Sequence, residues 1–332
     1  MLTPADLDAL FLPMVRARHV LLAVSGGPDS LALMVLITRW RGGRATGPEL
    51  SVAHVDHGLR ARSDQEGVVV ARLAAQWGLA CHLLRWEGEK PATRIEERAR
   101  VVRYRLLTDC ARSHGADGLA TAHHADDQAE TVLQRLAHGS GIGGLSAMAP
   151  QRSHEGLTLW RPFLDLSRAM LAEECRAAGL IGFVDPGNHD PLFDRARLRQ
   201  LGTERARLGL TDATLTRLAR RAGRAEAALV ATTAEFLAQA GVAIGPDGFA
   251  GPSEAWHNLP DEILLRALGH ILAKVNGGTV VPLAKLERLT ANFQAALAHK
   301  ARFAASLGGC TVKISARATL SIKLAPPRRA AS

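Results

Sequence analysis

Residues 21–30 read Leu21-Leu22-Ala23-Val24-Ser25-Gly26-Gly27-Pro28-Asp29-Ser30, and a largely apolar stretch from Leu31 to Trp40 follows. The first four residues have the look of a buried strand and the last stretch that of a helix, so the glycine pair falls on a strand-to-helix turn. Such a turn is a phosphate cradle. Two glycines let backbone N–H groups approach an anion closely, Ser25 and Ser30 add hydroxyl donors, and the helix amino end contributes a favourable dipole. No G-x-x-x-x-G-K-[ST] is present, so this is not a Walker loop with its phosphate-reaching lysine. A carboxylate at Asp29 would repel an anion bound there unless a divalent cation stood between them, which points to Mg2+.

Outward from this turn, the first 125 residues alternate short apolar runs with amphipathic stretches, the pattern of βαβ units. Strands are expected at 19–24, 50–55, 80–86 and 118–122, with helices at 29–40, 63–77, 93–113 and 126–138. Right-handed crossovers wind such units into an α/β fold, an open doubly wound parallel sheet that binds ligands beyond the carboxyl ends of its strands. Residues 138–145 are Gly-rich and read as a mobile loop. A strand or turn at 157–162 and a helix at 167–178, ended by Gly179, come next. Beyond Leu201 helices are expected at 211–240, 261–274 and 281–298, then a terminal hairpin within 310–324 and a frayed end from Pro326 onward. The expected organisation is a nucleotide-binding domain over 1–200 and a mainly helical C-terminal domain over 201–332.

Charge separates the same two parts. Of a formal +9, residues 1–200 carry 24 Lys+Arg against 23 Asp+Glu, and residues 201–332 carry 17 against 9. No acidic residue follows Glu287, whereas Arg288, Lys300, Arg302, Lys313, Arg317 and Lys323 do. That asymmetry points to a polyanion held by the C-terminal part through counterion release. Aromatic residues make up only 4%, too few for a base-stacking platform. Cys81, Cys110, Cys175 and Cys310 form no C-x-x-C pair, which argues against a zinc knuckle, an iron–sulfur cluster or a disulfide framework and for a reducing, cytoplasmic setting. The longest apolar stretch, 20–37, is interrupted by the Ser25–Ser30 turn, and no signal peptide opens the chain, so no membrane role is expected.

Two further strand ends carry ionisable residues. The second ends in His54-Val55-Asp56-His57-Gly58-Leu59-Arg60, where alternation separates His54 and Asp56 from Val55 and His57 and so disfavours a shared metal. The fourth ends in Ala122-His123-His124-Ala125-Asp126-Asp127-Gln128-Ala129-Glu130-Thr131. Helical spacing would put His123, Asp127 and Glu130 on one face, on the side of the glycine turn.

The segment SGGPDS after a strand resembles the PP-loop of the ATP pyrophosphatase superfamily, whose members cleave ATP between the α and β phosphates to adenylate a substrate. HVDHGLR, AHHADDQAET with the HGSGIGGLSAM loop, RPFLDLSR and the stretch from Phe183 to Asp190 together resemble the tRNA(Ile)-lysidine synthetases over about residues 18–200. That resemblance implies adenylation of C2–O of the wobble cytidine in a CAU-anticodon isoleucine tRNA, then displacement of AMP by the ε-amine of L-lysine. It implies ATP contacts at Ser25, Gly26, Gly27, Pro28, Asp29, Ser30, Ala53 and Val55, and Mg2+ at Asp29 and Asp127. His123, Arg103 and Arg195 would act with Asp29 in the reaction, Asp127 and Glu130 would hold the lysine ammonium, and Arg288, Lys300, Arg302, Lys313 and Arg317 would hold tRNA. A homodimer is compatible with this reading. The chain departs from the family in Arg195-Ala196, where Arg-Asn is usual, and 332 residues leave little room for the second C-terminal domain that many members carry, which makes the basic stretch after Arg288 its candidate substitute. The rival readings are a PP-loop tRNA thiolase, which would need paired cysteines or a cluster, and a non-catalytic RNA-binding protein with a relic nucleotide site.

Overall fold

The computed structural model describes residues 1–59, 63–91, 93, 95–183 and 202–326. These form two compact units, Met1–His138 with Ser146–Arg220, and Gly139–Leu145 with Arg221–Ser332.

In the first unit, β1 (His19–Ala23), β2 (Glu49–Asp56), β3 (Ala80–Arg85), β4 (Gly118–Ala120), β5 (Gln151–His154) and β6 (Leu157–Trp160) build one sheet in the order β3-β2-β1-β4-β6-β5. Every pairing is parallel except β5 with β6. The chain leaves β1 towards β3 and then returns to the other side of β1 at β4, which makes the β1/β4 crevice the topological switch point. The helices are α1 (Pro4–Phe11), α2 (Pro28–Gly42), α3 (Ser63–Gln76), α4 (Ile95–Ser113), α5 (Ala125–Ala137) and, after α6 (Ile142–Leu145) of the second unit, α7 (Arg168–Ala177).

Both faces of the sheet are covered, as a doubly wound fold requires. Val20 and Leu22 pack with Leu33 and Ile37 of α2, Val70 and Ala74 of α3, and Leu171 of α7. On the opposite face Leu21, Ala53 and Leu119 pack with Tyr104 and Leu107 of α4. Gly118 is the closest approach within the sheet: a Cβ there would stand 2.0 Å from the Thr158 carbonyl oxygen.

β5 lies outside the strands expected from the sequence. Gln-Arg-Ser-His has no apolar face to betray it, and it forms by hairpin pairing to β6 at the sheet edge. The Gly-rich stretch expected as a loop contains the helical turn α6. The expected division near residue 200 is replaced by one at Arg220, because Leu215 and Ala219 pack against Ala129 and Val132 of α5. α8 (Gly202–Arg207) and the start of α9 (Asp212–Gln239) therefore belong to the first unit.

The second unit contains α10 (Asp261–Val275), α11 (Leu283–Ala298) and a four-stranded antiparallel sheet of β7 (Phe249–Pro252), β8 (Phe303–Leu307), β9 (Cys310–Ile314) and β10 (Thr319–Leu324), in the order β7-β10-β9-β8. The expected hairpin is β9–β10, and the sheet around it is larger than a hairpin. β8 joins β9 through Gly308-Gly309, both at positive φ, the conformation of a two-residue hairpin turn. Trp256, Leu268, Ile271, Phe293, Val312 and Ile322 fill the core between helices and sheet. Among the described residues no helix is long and apolar enough to cross a membrane. The expected fray from Pro326 falls, apart from Pro326 itself, outside the described residues.

Candidate active site

A cavity of about 460 Å³ opens at the carboxyl ends of β1, β2 and β4, at the switch point. Its floor is the turn between β1 and α2. Gly26 adopts φ +87°, which favours glycine, and a Cβ there would come within 2.6 Å of the Phe183 ring. The Phe183 N–H donates to the Gly26 carbonyl (2.9 Å), so the turn is clasped from outside. Inside it, the Ser25 N–H donates to Ser30 Oγ (3.1 Å), whose own hydroxyl donates to the Gly27 carbonyl (2.9 Å). Gly27 is the N-cap of α2 and Pro28 its first residue, so the helix starts beside the cavity with the unsatisfied N–H groups of a first turn.

Ala53 and Val55 of β2 line one wall. His54 also lines the cavity, its Nδ1 lies 3.0 Å from the Val24 carbonyl, and burial lowers its pKa. His57 packs edge-on to Trp86 and is pushed down to about 4 by burial, then by the Arg103 charge. Arg103 and Arg100 reach the cavity from α4.

The opposite wall is the start of α5. Here the helical-spacing expectation needs correction: α5 begins at Ala125 with His124 as its N-cap, so His123 precedes the helix. His123 still lines the cavity, oriented by a 2.8 Å contact between its Nδ1 and Thr121 Oγ1. Asp127 lines it as well and accepts from the His124 N–H (3.1 Å). Glu130 is buried, 3% exposed, and is not among the lining residues.

The residue that sequence reasoning missed is His124. Its Nε2 lies 3.6 Å from Asp29 Oδ2 and 3.5 Å from Asp127 Oδ2, and its Nδ1 lies 3.6 Å from Asp126 Oδ1. Burial opposes a charge on this ring, but the surrounding carboxylates of Asp126, Asp29 and Asp127 overcome it, and its pKa rises to about 10. His124 is thus an imidazolium bridging the PP-loop carboxylate to those of α5. Arg168, the last residue of the RPFLDLSR stretch, adds a second cation 4.0 Å from Asp29, and its N–H donates to Asp126 (3.2 Å). The pairing of two histidines with two aspartates was the available signal for His124, but a sequence cannot say which histidine the three carboxylates enclose.

Asp29 Oδ1 is buried with no hydrogen-bond partner among the described residues. An orphan carboxylate oxygen beside a second carboxylate, Asp127, fits a hard divalent cation, for which oxygen donors are the preferred set.

Of the other expected site residues, Arg195 lies outside the described residues. Arg288, Lys300, Arg302, Lys313 and Arg317 are all exposed in the second unit, on α11, on β9 and in the connections beside the strands.

Comparison with known proteins agrees with this geometry. Residues 4–204 match the PP-loop domain family. The chain is 44% identical to a tRNA(Ile)-lysidine synthase of Bradyrhizobium sp. over 99% of its own length and 96% of the relative's. It is 47% identical to one of Methylobacterium nodulans, covering 95% and 92% of the two chains. Among solved structures, the U34-tRNA thiolase NcsA of Methanococcus maripaludis with its [4Fe-4S] cluster shares the fold, at a TM-score of 0.55 and 15% identity over 65% of this chain and 78% of that one. With a PP-loop at the switch point and full-length relatives at this identity, the chain belongs to the tRNA(Ile)-lysidine synthase family.

Proposed function

We propose that the protein is an AMP-forming ligase that joins L-lysine to C2 of the wobble cytidine of a CAU-anticodon isoleucine tRNA, at the expense of ATP. The carrying observation is the convergence of the Ser25–Ser30 turn, Arg103, His123 and Asp127 on one cavity at the switch point.

The turn and the amino end of α2 receive the ATP phosphates, and Ala53 and Val55 flank the adenosine. In the first step the cytidine C2 oxygen bonds to the α-phosphorus and diphosphate leaves; in the second the lysine ε-amine bonds to C2 and AMP leaves with the C2–O bond. Mg2+ held by Asp29 and Asp127 would supply charge neutralisation for the phosphates. Arg103 faces the charge that develops during adenylation, a role that the family resemblance gives to Arg195 as well. His123, held by Thr121, stands where it can exchange a proton with the reacting base or amine. Asp127, on the cavity wall, would hold the lysine ammonium, with the buried Glu130 carboxylate further along α5 adding negative charge behind it. Arg288, Lys300, Arg302, Lys313 and Arg317 supply a polyanion-binding surface for tRNA.

The thiolase reading finds no cysteine among the described residues that line the cavity. A cytoplasmic setting and a homodimeric state complete the proposal, the latter checked by sedimentation. The test is incubation with Mg-ATP, labelled lysine and a CAU-anticodon isoleucine tRNA transcript, with a wobble C→U transcript as control. Lysine entering only the first transcript, with one AMP per lysine, is the expected result. AMP formation with tRNA but without lysine transfer would refute the roles of Asp127 and Glu130, and no AMP at all would favour the relic-site reading.

A further inference from the structure

At the carboxyl end of α4, two donors four residues apart meet a third from β3. Cys110 lies in the last turns of α4, His114 just after the helix, and His82 on β3, paired with Ala53. The Cys110 sulfur and one nitrogen from each imidazole lie within 4.8 Å of one another. The two ring centroids lie 3.8 Å apart with the planes tilted by 39°, and Cys110 Sγ lies 3.8 Å from His114 Nδ1. Cys110 is buried, His82 half-buried and His114 exposed, so the cluster has a closed floor and an open mouth.

We propose that Cys110, His82 and His114 form a binding site for a borderline-soft divalent cation of the Zn2+ class, separate from the oxygen-donor site at Asp29. A thiolate and two imidazoles are the donor types that suit this ion, and three protein ligands leave a fourth position for water. Tetrahedral Zn2+ with bonds of about 2.0–2.3 Å brings its donors to roughly 3.3–3.7 Å apart, so the observed spacing closes by side-chain rotation of about 1 Å.

The surroundings are already those of a ligand set. His114 Nδ1 lies 2.9 Å from the Cys110 carbonyl, a contact that orients the ring beside the sulfur. The His114 carbonyl is tied to His19 Nδ1 (3.1 Å), and His19 Nε2 to Ser51 Oγ (2.7 Å), which fixes the backbone of the loop. Burial, aided by the neighbouring His114 and His19, lowers the His82 pKa, so this ring is a neutral donor at pH 7. Burial raises that of Cys110, so metal entry must release a proton from sulfur.

The full-length protein, stripped with a chelator, is titrated with Co2+ and then with Zn2+. One equivalent of Co2+ should raise a near-ultraviolet thiolate-to-cobalt absorption band, which one equivalent of Zn2+ abolishes. Cys110→Ser should remove the band, and His82→Gln and His114→Gln should each weaken Zn2+ binding at least 10-fold, with circular dichroism confirming the fold. Asp29→Ala and Cys81→Ser should leave the band intact. Absence of the band in the parent, its survival in Cys110→Ser, or its loss in Cys81→Ser or Asp29→Ala would overturn the proposal. Should Cys110→Ser fail to fold, the half-exposed His82 decides it: unchanged Zn2+ affinity in His82→Gln overturns the site.

Discussion

Replacing His124 by alanine would remove the imidazole that sits among the carboxylates of Asp29, Asp126 and Asp127 while leaving all three in place. The ring is 6% exposed, so little solvent screens the change. A pKa raised from about 6.5 to about 10 corresponds to about 5 kcal/mol of linked stability, and removing one partner of a buried pair costs about 3–5 kcal/mol. The sign follows from the direction of the shift. The folded protein holds this proton more tightly than the unfolded chain does, so the contribution is fully present below pH 6.5 and is lost as pH rises towards 10. Urea unfolding at pH 6.5, 8 and 9.5 in the presence of a chelator measures it, read by tryptophan fluorescence, because Trp40, Trp77, Trp86 and Trp160 lie in the first unit and only Trp256 in the second. The variant should be less stable by about 3–5 kcal/mol at pH 6.5, with a gap that narrows steadily by pH 9.5. A gap below about 1 kcal/mol at pH 6.5, or one that does not change with pH, would refute a charged His124.

Other consequences follow from single contacts. Gly118→Ala would drive a Cβ into the Thr158 carbonyl and the Trp160 ring, and the forced separation of β4 from β6 should cost about 2–3 kcal/mol or more in the same unfolding assay. Asp29→Ala should abolish tRNA-dependent AMP formation while leaving the far-ultraviolet circular dichroism unchanged; normal AMP formation would remove its place at the phosphates. Charge reversal at Arg288, Lys300, Arg302, Lys313 and Arg317 together should weaken tRNA binding and flatten its dependence on salt without altering ATP affinity, and an unchanged salt slope would move the tRNA surface elsewhere.

The parallel core of the first unit is legible because its strands are buried on both faces. β1 is therefore an apolar run from Val20 to Ala23 and β2 a buried one broken by Ser51 and His54, and the turns after them carry a block of polar residues. The phosphate turn is legible because it is local, since the bonds among Ser25, Gly27 and Ser30 lie within six residues. β5 and β8 are not. β5 is polar throughout and β8 is small at its centre, Ala304-Ala305-Ser306, and both become strands by pairing to a neighbour already in place.

What the chain determined by itself was local: the alternation that winds the sheet, the glycine turn, and the excess of cations after Glu287. What tertiary structure decided was every property that depends on residues meeting from different elements. The charge on His124 is set by Asp29 at the start of α2 together with Asp126 and Asp127 of α5, nearly a hundred positions away. The Cys110, His82 and His114 cluster joins a strand to the end of a helix almost thirty residues later. Ionisation and ligation fall steeply with distance between charges and donor atoms, so they follow spatial separations of a few ångströms that spacing along the chain does not encode.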